Sequence, residues 1–174
     1  AGNNHVFTDG ENGLAKIRAC TLAIGLSISN SGTAASILGG CSNTTTSNAT
    51  FSTIGGGCLN YTSIGFTSIG GGKNNCVTDS YGCSTIGGGD ANKIVGHGLA
   101  AIAGGSFNCH NNACKSFIGA GSSNLVLNST AAVIGGGQSN LVDNGSCSSV
   151  LGGYTNYICD AKCSSISGGY NNCI

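Results

Sequence analysis

Residues 116–142 read SFIGAGSSNLVLNSTAAVIGGGQSNLV, a single phrase stated nearly twice at a distance of 16 residues. Its elements are S-x-I, a glycine-rich triplet, two variable residues, then N-x-V. Following the Asn in both directions gives Asn43, Asn60, Asn75, Asn92, Asn108, Asn124, Asn140, Asn156 and Asn172, at spacings of 17, 15, 17 and then 16 throughout. The apolar position before the glycines recurs as Ile37, Ile54, Ile69, Ile86, Ile102, Ile118, Ile134, Val150 and Ile166. Two residues past each Asn lies a third column: Thr45, Thr62, Val77, Ile94, His110, Val126, Val142, Ile158 and Ile174. A fixed period with conserved positions inside each unit is the signature of a stacked-repeat architecture.

Within a unit, alternation puts the Ser and Ile of S-x-I on one face of a short strand, with the residue between them pointing outward, and N-x-V repeats the pattern. Each unit therefore supplies two strands. The glycines form one corner, where a backbone bends without a Cβ in the way; the other corner is looser and absorbs the 15- and 17-residue units. A helix would carry three consecutive glycines every turn of the repeat, at roughly 1 kcal/mol each relative to Ala. Collagen needs glycine at every third position and abundant proline, and this chain has no proline. The expected fold is all-β: a parallel β-solenoid of about nine 16-residue coils. Coils repeating every ~4.8 Å make nine of them a rod about 40 Å long. Identical residues then lie above one another, and the inward Asn column is expected to form a ladder of amides bonded from coil to coil.

Composition agrees with stacking. Six Lys and Arg balance six Asp and Glu in 174 residues, and like charges facing each other on neighbouring strands repel. There is no basic field to draw nucleic acid, and no stretch approaches the roughly 18 to 20 apolar residues of a membrane span. The first 30 residues lack the charged start and apolar run of an export signal. The chain stops two residues after its last repeat Asn, which suggests a piece of a longer polypeptide. With only two aliphatic residues per coil facing inward, the rod is expected to gain from a second chain, and the outward column offers a place for it at Ala101, Phe117 and Val133, with Leu125 and Leu141 nearby.

The segment TLAIGLSISNSGTAASILGG, residues 21–40, resembles the head repeat of trimeric autotransporter adhesins of the YadA type, whose pattern runs close to S-x-A-I-G-x-x-S-x-A-x-G. The S-x-I-G-G-G-x-x-N units from Ser36 onward are similar to a longer variant of that module found in phage and large-virus fibre proteins. The resemblance implies a left-handed β-roll, three chains side by side, attachment to a host-surface glycan or receptor, and no catalysis. It divides the chain into a cap or connector at 1–19, which holds Asp9, Glu11, Lys16 and Arg18, a YadA-head-like coil at 20–35, and the nine-repeat solenoid at 36–174. Bacterial heads of this type are poor in cysteine, whereas this chain has 11. That favours a virion fibre assembled in a reducing cytosol. Cys41 and Cys58 share one column, and Cys147 and Cys163 another, so each pair stands ~4.8 Å apart, within the Cα range of a disulfide. Disulfides and stacked free thiols both satisfy that spacing.

Little else in the sequence carries chemistry. No CxxC, CxxH or CxxCH occurs, and in the nearest cluster, Cys109, His110 and Cys114, adjacent strand residues face opposite sides. Asp79, Asp90, Asp143 and Asp160 are expected in corners of separate coils, without the shared cleft that paired catalytic carboxylates require. The glycine runs lack the Lys-Ser/Thr of a phosphate loop. No enzyme activity, metal or cofactor is expected. N-x-S/T triplets place candidate glycosylation sites at Asn48, Asn128 and Asn144, whereas Asn43 and Asn60 belong to the inward ladder. Tyr61, Phe117, Tyr154, Tyr157 and Tyr170 are candidates for sugar stacking or, more simply, for cross-strand pairs, with Tyr154 and Tyr170 in one column.

Three functions fit such a rod. The first is a structural and attachment segment of a trimeric fibre, extracellular or on a virion surface. The second is an ice-binding solenoid, but the outward column Ser36, Thr53, Ser68, Thr85, Ala101, Phe117, Val133, Ser149, Ser165 is too mixed for one flat array of Thr. The third is a self-stacking filament, since each uncapped end of a solenoid is an unpaired strand edge.

Overall fold

The computed structural model describes residues 22–23 and 25–174, and the cap expected at 1–19 lies outside them. Two parallel sheets run the length of the rod. One has ten strands, from Leu22–Ala23 through Ser36–Ile37 to Ser165–Ile166; the other has nine, from Ser29–Asn30 through Thr44–Thr45 to Tyr157–Cys159. Sequence-adjacent strands alternate between the sheets, so the chain coils, and no helix occurs among the described residues. The architecture is the all-β parallel solenoid that the 16-residue period requires. Ten stacked strands at ~4.8 Å give a rod of about 43 Å. The segment 22–35 continues both sheets, with Ala23 opposite Ile37 and Asn30 opposite Thr45.

Register follows the sequence columns. Ile102 lies between Ile86 and Ile118, and His110 between Ile94 and Val126. The inward Ile and Val of both columns are fully buried from Ile37 to Ile158, and together they make one continuous core. Strands are only two to four residues long because a corner interrupts every coil. At the glycine corner the last glycine takes a left-handed φ, 96° at Gly121, and a Cβ there would stand 2.0 Å from the carbonyl oxygen of Gly137 in the next coil. The preceding glycine is under no such demand: a Cβ on Gly104 meets nothing within 4 Å. Two residues past the corner glycine, ordinary residues are also left-handed, including Leu59 (59°) and Phe107 (56°). Their strain is offset by a coil-to-coil bond, in which Leu59 N–H donates to Cys41 O and Phe107 N–H to Asp90 O, both at 2.9 Å.

The interior is not uniform along its length. In the first coils the second column holds Asn30, Thr45 and Thr62 in place of aliphatic residues, tied by hydrogen bonds from Thr45 to Asn30 and between Thr62 and Thr67 (2.6 Å). From Val77 onward the column is apolar except at His110.

Candidate interaction surface

The Asn column is continuous from Asn43 to Asn172 and buried through Asn156, while Asn172 is exposed. Asn124 shows its logic. Its Oδ1 accepts the backbone N–H of Asn140 (3.1 Å) and Asn140 Nδ2 (3.1 Å); its Nδ2 donates to Asn108 Oδ1 (3.1 Å), to Ala120 O in its own coil (3.1 Å) and to Gly137 O in the next (2.9 Å). The link common to all eight steps is backbone N–H to amide oxygen, with amide-to-amide contacts joining from Asn75 onward. The amide thus serves as a spare peptide group that closes the glycine corner, and its bonding capacity is used within the protein.

His110 occupies an aliphatic site. It is fully buried, and its Nε2 lies 3.1 Å from Ala101 O, which makes that nitrogen the donor and leaves Nδ1 buried without a partner. Burial holds its pKa down at about 4, only partly countered by the bond to Ala101 O. A neutral imidazole is therefore a core group here. Cys109, on the opposite face of the same strand, is half-buried, and burial raises its thiol. Cys109 and His110 do not converge with Cys114, and no cluster of three metal-ligating side chains exists among the described residues.

Outside, the first sheet begins with hydroxyls: Ser36, Thr53, Ser68 and Thr85 are in register, with Ser36 Oγ 3.2 Å from Thr53 Oγ1. Ala101, Phe117 and Val133 follow. Phe117 is 41% exposed, and its ring lies over Gly119, 3.5 Å from where a Cβ would stand. On the second sheet Cys109, Leu125, Leu141 and Tyr157 form one outward column, and Val95 and Leu127 lie in the next. The apolar outward residues of both sheets thus meet on the central coils, beyond which the first sheet returns to Ser149 and Ser165. Tyr61 stands on this second sheet between Thr44 and Cys76.

The corners carry the remaining groups. Tyr154 and Tyr170 stack with centroids 5.4 Å apart and planes 8° from parallel. Phe51 and Phe66 pair at 5.3 Å, and Tyr81 stacks on His97 at 5.6 Å. The Cys159 thiol two residues on, then burial, pushes the Tyr157 phenol up to about 12. Asn48, Asn128 and Asn144 are all exposed, and Asn144 Nδ2 donates to Asp160 Oδ1 (3.0 Å). Asn128 and Thr130 border a polar hollow with His97, Asn112 and Cys114. The carboxylates are not all in corners as expected. Asp79 ends the strand Cys76–Asp79, where its longer coil extends the pairing, and is 5% exposed with Oδ1 accepting Gly82 N–H (2.8 Å); Asp143 ends Leu141–Asp143. Cys41 and Cys58 are direct cross-coil partners, and Cys147 and Cys163 occupy matching left-handed positions (φ 60° and 55°), both exposed. All ten described cysteines are free thiols.

A scan against protein-family models and a search of curated proteins both find no match to this chain.

Proposed function

We propose that this chain is a structural and attachment segment of a fibre, extracellular or on a virion surface, that works as a homotrimer and performs no catalysis. The observation that carries the reading is the use of the repeat: its inward Asn column and its Ile and Val are committed to coil-to-coil bonds and to the core, so most of what varies from coil to coil lies on the outside. A rod with constant scaffold and variable outer columns suits display of a binding surface at a distance from its anchor. The YadA-type resemblance of residues 21–40 supports three chains side by side. The apolar outward residues Ala101, Phe117 and Val133 on one sheet and Leu125 and Leu141 on the other are the surfaces that partner chains would cover.

Sedimentation equilibrium tests this directly. A discrete trimer that falls to monomer on Phe117→Asp supports the reading. Open-ended polymers would favour the self-stacking filament, and a stable monomer would refute both. Ice binding has one observation in its favour, the in-register Ser36, Thr53, Ser68, Thr85 row, and thermal hysteresis that is lost on Thr53→Lys would establish it over the fibre.

A further inference from the structure

We propose that Cys41 and Cys58 are a redox-closable staple: a thiol pair that forms an intrachain disulfide on exposure to a small-molecule disulfide and pins together two coils whose second core column is polar. The inference does not depend on the fibre reading.

Two independent features point to this pair. The first is geometric. Cys41 and Cys58 are bridge partners in the glycine-corner column, so their side chains leave neighbouring coils in the same direction. The register is held on both sides of each residue: Cys41 N–H donates to Gly57 O, Cys58 N–H to Gly72 O, and Leu59 N–H back to Cys41 O, all at 2.9 Å. In-register strands place their Cα atoms ~4.8 Å apart, inside the range a disulfide spans. The thiols stand beside each other on neighbouring coils, close enough for Cys41 to raise the Cys58 thiol. The second feature is where the pair stands. The coils it joins are those whose second core column holds Thr45 and Thr62, where every coil from Val77 to Ile158 other than that of His110 has Val or Ile. A cross-link there ties coils whose interior has fewer aliphatic side chains than those that follow.

The chemistry balances as a thiol–disulfide exchange. The Cys41 thiolate attacks one sulfur of the small disulfide and expels a small thiolate, which takes up the proton that Cys41 lost. The Cys58 thiolate then attacks the Cys41 sulfur, and the second small thiol leaves. Two protein thiols are oxidised and one small disulfide is reduced to two thiols. Burial and the adjacent Cys41 thiol raise the Cys58 thiol, while Lys73, its neighbour on the next coil, lowers it.

The test incubates the whole protein with oxidised glutathione, alkylates the remaining thiols and maps peptides by mass spectrometry, with hydrogen exchange measured before and after. The expected result is a peptide pair joined through Cys41 and Cys58, about 2 Da lighter than the reduced pair, reversed by dithiothreitol, with slower exchange confined to residues 36–62. Cys41→Ser should leave a glutathione adduct on Cys58 and no slowing. Recovery of Cys41 and Cys58 in the parent protein as separate glutathione adducts, or as fully alkylated thiols while other cysteines oxidise, would overturn the proposal. So would a cross-link that leaves exchange in residues 36–62 unchanged.

Discussion

Replacing Asn124 by Ala removes the amide but keeps the backbone N–H that donates to Asn108 Oδ1, so the damage is confined to what the side chain alone supplied. Asn140 Nδ2 retains Gly136 O and Gly153 O, and Gly137 O retains Ser122 N–H. The groups left without the bond Asn124 gave them are the Asn140 N–H, which is buried, and the carbonyl of Ala120, an exposed residue. Asn140 N–H is buried and Ala120 is exposed, so at about 1–3 kcal/mol for an unsatisfied buried group the variant should lose roughly 1–3 kcal/mol, before any cost of the cavity. The same change at Asn172, which is exposed and accepts no bond from a following described coil, removes only its donations to Asn156 Oδ1 and Gly168 O and should cost about 1 kcal/mol or less. Denaturant unfolding followed by far-UV circular dichroism measures both. Equal losses for Asn124→Ala and Asn172→Ala, or a change at Asn124 below about 1 kcal/mol, would refute the view that the column closes the glycine corner.

Three other expectations are sharp. His110 is neutral in the fold with its pKa at about 4, against 6.5 unfolded, so the unfolded chain takes up the proton first; stability should fall by about 3 kcal/mol as pH drops from 6.5 to 4 and level off below, and His110→Val should remove that part of the pH dependence. Gly104→Ala should be nearly silent in a thermal melt, whereas Gly105→Ala, with φ at 85° and its Cβ 2.1 Å from Gly121 O, should destabilise severely. If the outward apolar column is a chain contact, Phe117→Asp should lower the sedimentation mass without changing the circular dichroism spectrum, because the ring lies on the outside of its sheet.

The period made most of this readable in advance, because a solenoid gives every sixteenth residue the same surroundings, and so a column of Ile or Asn reports one environment nine times over. The looser corner was less legible. Asp79 belongs to a 17-residue coil whose strand, with Lys93–Gly96, is the longest of its sheet, which carries its carboxylate into the interior. The left-handed residues Leu59 and Phe107 carry no mark in their side chains, since their conformation is set by main-chain bonds to the coil before. Phe51 and Phe66 pair because both precede an inward residue, Ser52 and Thr67, a column hidden by its chemical variety in Cys83, Leu99 and Lys115. On the outer faces, the sequence pointed to Ala101, Phe117 and Val133. The breadth of the second sheet's apolar surface depends on Val95 and Leu127 lying beside Leu125, and that needs the register.

Because each Asn between the ends of the column bonds its own coil and the two beside it, the rod is a series of similar links, and that shapes its response to tension. A force applied along the axis meets no single strongest point; it peels the coil at the loaded end, whose outer side has no neighbour, and then exposes the next to the same load. Each coil released frees about 16 residues, a gain in length of about 50 Å after its ~5 Å of stacked height is subtracted. A tether built this way yields in steps and re-forms one link at a time, dissipating a tug that would break a single rigid joint.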